Sequence, residues 1–166
     1  NGHPPSKFAA VFARARGEGF LLTAHCDPDI PGSVDNIRNV VEEIGVARID
    51  HGTNVIEAPD LVQHLAETGI GLTSCPISNT WLTEDSRAHL MEQLVNEGVK
   101  VSINSDDPAY FGGYMNENFQ RLADDLDADD ELLTQLALNG VDISWAPPHL
   151  KERLRKEIAD YAETAL

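Results

Sequence analysis

Two histidines, a cysteine and a pair of aspartates each stand at the end of a short apolar run. His25 closes residues 19–25 (GFLLTAH), His51 closes 46–51 (VARIDH), Cys75 closes 69–75 (GIGLTSC), and Asp106 and Asp107 close 99–107 (VKVSINSDD). One histidine ending a buried strand has an ordinary explanation, a hydrogen bond to the backbone. Paired acids after a strand have one too, since Asp tolerates turn backbones. Repetition weakens both explanations. Imidazoles that converge at one edge suit metal binding or proton transfer. Asp106 and Asp107 follow a run read as largely buried strand and precede Pro108. Two carboxylates in such a place repel each other unless a cation or a shared proton relieves them.

Each apolar run leads into a polar loop and then a helical pattern, so the chain reads as βα repeated four times with the chemistry at the strands' carboxyl ends. Ligands bind at that edge in α/β proteins. The steps from His25 to His51, Cys75 and Asp106 are 26, 24 and 31 residues, against roughly 30 per unit in an eight-stranded β/α barrel. A closed barrel needs ~250 residues, and this chain has 166. The alternatives are a small doubly wound sheet or a piece of something larger, and the spacing favours the second. A helix is expected over residues 4–17, with Phe8, Val11, Phe12 and Ala15 on one face and Gly17 as its end. Ser33 is expected to cap a helix carrying Ile37, Val40, Val41 and Ile44. Pro59 opens the next, which Gly69 stops. A third is read from about Glu84 to Glu97, and three more over residues 116–126, 129–138 and 148–165. No linker or second domain interrupts residues 1–166, which are read as one unit.

Net charge is −16, with 28 acidic against 12 basic residues. Nucleic acid and anionic membranes both require positive charge, so neither is expected as a partner. A heavily solvated surface accounts for the acidity, and a salt-adapted cytosol is the weaker alternative. With two cysteines, Cys26 and Cys75, and no secretory or targeting pattern, a reducing cytoplasm is expected. Lacking a Cys-x-x-Cys, both cysteines read as packing residues. Trp81 and Trp145 are likewise expected to pack, and His3, His64, His89 and His149 to lie on the surface. There is no Gly-rich phosphate loop and no Gly-x-Ser-x-Gly elbow.

Ile49-Asp50-His51-Gly52, Cys75-Pro76-Ile77-Ser78-Asn79 and Ser105-Asp106-Asp107-Pro108 resemble, in order and spacing, motifs of the adenosine/adenine deaminase family. Residues 107–114 (DPAYFGGY), followed by Glu117-Asn118-Phe119, are most similar to its adenine deaminase branch, and residues 136–145 (LALNGVDISW) resemble its C-terminal helix turn. The resemblance covers nearly the whole chain. It implies an α/β fold that is the C-terminal half, strands five to eight, of a (β/α)8 TIM barrel with C-terminal helices. It also implies hydrolytic removal of the 6-amino group of a purine by a zinc-activated water, with adenine slightly ahead of adenosine. By the same resemblance His25 and Asp106 would be zinc ligands. His51 would orient the attacking water and stabilise its charge. Asp107 would position the water and hydrogen-bond the purine substrate.

Two departures shape the expectation. The family's other two zinc ligands come from a His-x-His pair, which this chain does not contain, and catalytic zinc typically has three protein ligands. One Zn2+ per site is expected, its remaining ligands coming from a missing N-terminal half or a partner chain, so that the fragment alone is not expected to be active. Second, where the family commonly reads His-Ala-Gly-Glu this chain reads His25-Cys26-Asp27-Pro28. The family's glutamate donates a proton to the purine ring, and Pro28 has none to give. Asp27, with Asp29 in reserve, is the candidate donor, and a solvated acidic turn is the competing explanation. Two further alternatives are a deaminase acting on a modified 6-aminopurine and a non-catalytic half-barrel that binds a ligand.

Overall fold

The computed structural model describes residues 3–26, 30 and 32–165. Four strands, β1 (Thr23–Cys26), β2 (Arg48–His51), β3 (Gly71–Ser74) and β4 (Val101–Ile103), form one sheet in the order β1-β2-β3-β4. All three pairings are parallel. Winding that never reverses direction is that of a barrel arc. A doubly wound sheet would switch direction at an inner strand.

Helices alternate with the strands. α1 (Ala9–Gly17) precedes β1, entered through a tight turn at Pro5–Phe8. α2 (Ser33–Arg38) continues into a wider turn over Asn39–Ile44, ended by Gly45. α3 (Pro59–Thr68) has Pro59 at its start and left-handed Gly69 at its end, as the sequence indicates. α4 (Pro76–Thr83) and α5 (Ala88–Asn96) lie between β3 and β4. Beyond β4 come α6 (Pro108–Phe111), α7 (Met115–Leu126), α8 (Asp130–Ile143) and α9 (Pro148–Ala165). Among the described residues no helix is long and apolar enough to cross a membrane.

The sheet's two faces differ sharply. Ala24, Ile49, Leu72 and Val101 lie in register on the face that meets the helices. Ile49, Leu72 and Val101 are fully buried there with Ile37, Leu61, Leu65, Met91 and Leu94. Each such side chain contributes about 1.5–3 kcal/mol. The opposite face carries Thr23, His25, Arg48, Asp50, Thr73 and Ser102, in register across the strands. Asp50 ties three strands together, its carboxylate accepting from Thr23 Oγ1 at 3.0 Å and Thr73 Oγ1 at 2.9 Å.

α8 closes the amino end of the sheet. Asn139 Nδ2 donates to the Val101 carbonyl at 3.0 Å. Ile143 lies so close over Gly71 that a Cβ there would overlap its Cγ2. Trp145, just past α8, stacks 4.4 Å from the Arg48 guanidinium.

Several details correct the sequence reading. The helix expected from Glu84 begins at Ala88, and α4 occupies the stretch before it. Side chains of the intervening loop bind its own backbone instead: Asp85 Oδ1 accepts from Arg87 N at 2.8 Å and Ser86 Oγ from Ala88 N at 3.3 Å. Such bonds compete with helix formation. Ser33 does not cap α2, because left-handed Gly32 holds the cap position. The Ser33 hydroxyl instead accepts from Asn54 Nδ2 at 2.6 Å. The sequence pattern predicts a helix over residues 129–138, yet α8 runs on to Ile143 because its end is packed against the sheet. Trp81 is 70% exposed, not packed. Exposed apolar side chains include Phe8 just before α1, Val11 within it, and Phe20 and Leu21 just before β1.

Candidate active site

His51 ends β2 with a φ of +59°, and Gly52 follows at +76°. Two successive left-handed residues turn the chain abruptly at the sheet's carboxyl edge. A side chain at Gly52 would sit 2.8 Å from Ile49 Cγ2 and 3.2 Å from Leu72 Cδ2, so the turn needs glycine on steric grounds as well. Asp106, three residues beyond β4, is also left-handed, with φ +55°. Non-glycine residues in this region cluster at functional sites.

The two turns bring His51 and Asp106 together, Nε2 lying 3.5 Å from Asp106 Oδ2. Both are gripped by the first turn of α4. Ser78 Oγ donates to Asp106 Oδ2 at 2.6 Å, and Asn79 Oδ1 lies 3.2 Å from His51 Nδ1. Ser78 and Asn79 are completely buried, and His51 is 3% exposed. Burial pushes the His51 imidazole below its ordinary value, and neighbouring His25 adds to this, outweighing the opposite pull of Asp106. The His51–Asp106 contact therefore joins a neutral imidazole to a carboxylate.

Cys75 lies at the same edge. Its Sγ, a His51 nitrogen and an Asp106 oxygen all lie within 4.8 Å of one another. Burial pushes the Cys75 thiol up to about 12, with Asp106 and Asp50 adding to the effect. Without a metal it is therefore a protonated packing residue. The Asp106 carboxylate beside imidazole nitrogens at this edge is a kind of donor that suits zinc.

His25 is in β1, exposed, its ring edge-on to that of His51 with centroids 4.6 Å apart. Asp107 is exposed and leads into α6, its carbonyl accepting from Tyr110 and Phe111 N. Asp27 and Asp29 lie outside the described residues. His3, His64, His89 and His149 are on the surface. Sequence reasoning gave no role to Ser78, Asn79 or Asp50. For the first two a signal was present, since polar residues one turn after a helix-opening proline, itself next to a strand end, point back at that edge.

A parallel sheet wound in one direction, with a His–Asp pair at its carboxyl edge, fits an arc of a (β/α)8 barrel. A family model described as adenosine deaminase matches residues 1–161, and the chain belongs to that family. It is 43% identical over 159 residues to an adenine deaminase of Acinetobacter baylyi, covering 95% of this chain and 47% of that one. The solved adenine deaminase of Arthrobacter aurescens superposes with a TM-score of 0.90 at 35% identity, covering 98% of this chain and 50% of the other. An amidohydrolase from Burkholderia ambifaria, solved with bound zinc, gives 0.88 at 28% identity, covering 99% and 46%. The chain thus spans about half the length of the relatives it matches.

Proposed function

We propose that this chain supplies the C-terminal half of the active site of a zinc-dependent purine deaminase acting on adenine in preference to adenosine. The observation that carries the reading is the 3.5 Å approach of His51 Nε2 to Asp106 Oδ2 between two left-handed turns at the sheet's carboxyl edge. The names of the relatives, adenine deaminases at 35–43% identity, support adenine.

His25 and Asp106 would hold the metal, with further ligands from a segment that completes the barrel. Zinc, when bound, lowers the pKa of water enough to supply a nucleophile near neutral pH. Neutral, buried His51 can accept a proton from the attacking water and hold its direction. Asp107, exposed at the mouth, orients the purine. Asp27, or Asp29 in its place, gives a proton to the ring nitrogen on which charge develops. Such an acid contributes roughly 10²–10⁴ in rate. Two buried thiols, Cys26 and Cys75, fit a reducing cytoplasm.

The test joins this chain to the N-terminal half of the Acinetobacter relative, measures zinc content, and assays ammonia release from adenine, adenosine and N6-substituted adenines. Turnover of adenine above the others is expected. A folded, zinc-loaded chimera that releases ammonia from none of them refutes the reading.

A further inference from the structure

Asn79 makes two hydrogen bonds from a completely buried position, and together they constrain the neighbouring histidine. Its Nδ2 donates to the Ser86 carbonyl at 3.2 Å, while its Oδ1 lies 3.2 Å from His51 Nδ1. Reversing the amide would set Oδ1 against the Ser86 carbonyl, two acceptors with no proton between them. Only one orientation satisfies both ends, and buried polar atoms left unsatisfied are costly. An amide oxygen accepts and cannot donate, so the hydrogen in the bond to His51 must sit on Nδ1.

The other side of the ring agrees. A charge-assisted N–H···O bond has a length of about 2.7–2.9 Å, whereas His51 Nε2 is 3.5 Å from Asp106 Oδ2. That oxygen already accepts from Ser78 at 2.6 Å. With a single ring proton placed on Nδ1, Nε2 is left as a bare lone pair beside the carboxylate.

The anchor for Asn79 is itself over-determined. Glu84 and Arg87, on either side of Ser86, both have φ of +60°. Arg87 N is held by Asp85 Oδ1 at 2.8 Å, and its guanidinium donates to Asn54 Oδ1 in the turn that follows His51. Two strained residues in so short a loop persist only where surrounding contacts enforce them. Here those contacts fix the carbonyl on which the Asn79 amide hangs.

We propose that Asn79 is a positioning residue that locks His51 in the Nδ1–H tautomer, so that Nε2 presents its lone pair to the Asp106 side of the site. The tautomer does not depend on the deaminase reading; its consequence for turnover does. Swapping the tautomer would point an N–H at the place where the attacking water must give up a proton, leaving binding of the purine intact.

Long-range 1H–15N correlation spectra of the 15N-histidine-labelled chain at pH 8 read the tautomer directly. The parent is expected to show Nδ1–H at His51. Asn79→Ala should shift it towards Nε2–H, and Asn79→Asp, which keeps the acceptor facing Nδ1 at the cost of the bond to the Ser86 carbonyl, should restore Nδ1–H. In the completed barrel Asn79→Ala should lower kcat about 10–100-fold with KM unchanged, and Asn79→Asp should recover part of it. Far-UV circular dichroism checks that each variant folds, and the Asp variant decides the matter if the Ala variant does not. Nε2–H in the parent overturns the proposal, as does Nδ1–H persisting in a folded Ala variant or vanishing in a folded Asp variant. If the parent chimera proves inactive, the deaminase reading fails while the spectra still decide the tautomer.

Discussion

Three glycines separate two physical costs that usually arrive together, and one of them governs the turn that aims His51. At Gly112, φ is +79° and an added Cβ meets nothing within 4 Å, so Gly112→Ala carries only the left-handed backbone penalty, about 1–2 kcal/mol. Gly71 is in β3 without that backbone constraint, but its Cβ would overlap Ile143. Gly71→Ala is therefore an overpacking change, costing about 1–3 kcal/mol. Gly52 combines both: φ +76°, with Ile49 Cγ2 at 2.8 Å and Leu72 Cδ2 at 3.2 Å. Ile49 and Leu72 are completely buried and have no room to retreat. Gly52→Ala should thus cost about 2–5 kcal/mol, a large share of the 5–15 kcal/mol typical of a folded domain. Urea unfolding of the four chains, followed by far-UV circular dichroism, gives the order Gly52→Ala worst, with Gly71→Ala and Gly112→Ala milder. The reasoning fails if Gly52→Ala costs no more than Gly112→Ala. The packing of the turn against Ile49 and Leu72 would then be absent, and with it the rigid placement of His51.

In the completed barrel, Asp106→Ala should remove most of the zinc, whereas Asp107→Ala should keep the metal and lose turnover. Equal metal loss in both would show the pair to be misassigned. The stability of the metal-free chain should depend on pH through His51. Its folded pKa lies below the unfolded value of about 6.5, so the unfolded chain binds more protons as pH falls through that value. Stability should be fully present above it and decline below it. His51→Gln should flatten that decline in a series of urea titrations, and an unchanged slope would mean the ring is not buried as a neutral group. Iodoacetamide at pH 8 should leave both Cys26 and Cys75 unmodified in the folded chain and label both in urea. Each is buried, and the Cys75 thiol is pushed up to about 12. Rapid labelling of folded chain at Cys75 would contradict that burial.

What the sequence determined by itself is what short-range chemistry controls. Short apolar runs before polar residues made the strands recognisable, and Pro59 and Gly69 marked helix ends through fixed or permissive backbones. Because a parallel unit returns every strand in the same direction, residues at the ends of successive runs had to share an edge. His25, His51, Cys75 and Asp106 were therefore legible as neighbours before any distance was known. The tertiary structure alone decided the rest. The polar face of the sheet depends on the register that aligns His25, Asp50 and Thr73, which no single strand carries in its own sequence. His and Asp tolerate a left-handed backbone better than most side chains, but that tolerance does not say at which His or Asp the chain turns, and packing at the sheet edge puts the turns at His51 and Asp106. Ser78 meets Asp106, and Asn79 meets His51, across 28 residues of chain in each case. Such contacts exist only because the barrel winding carries α4 back over the strand ends, and a hydrogen bond between distant side chains leaves no periodicity behind to be read.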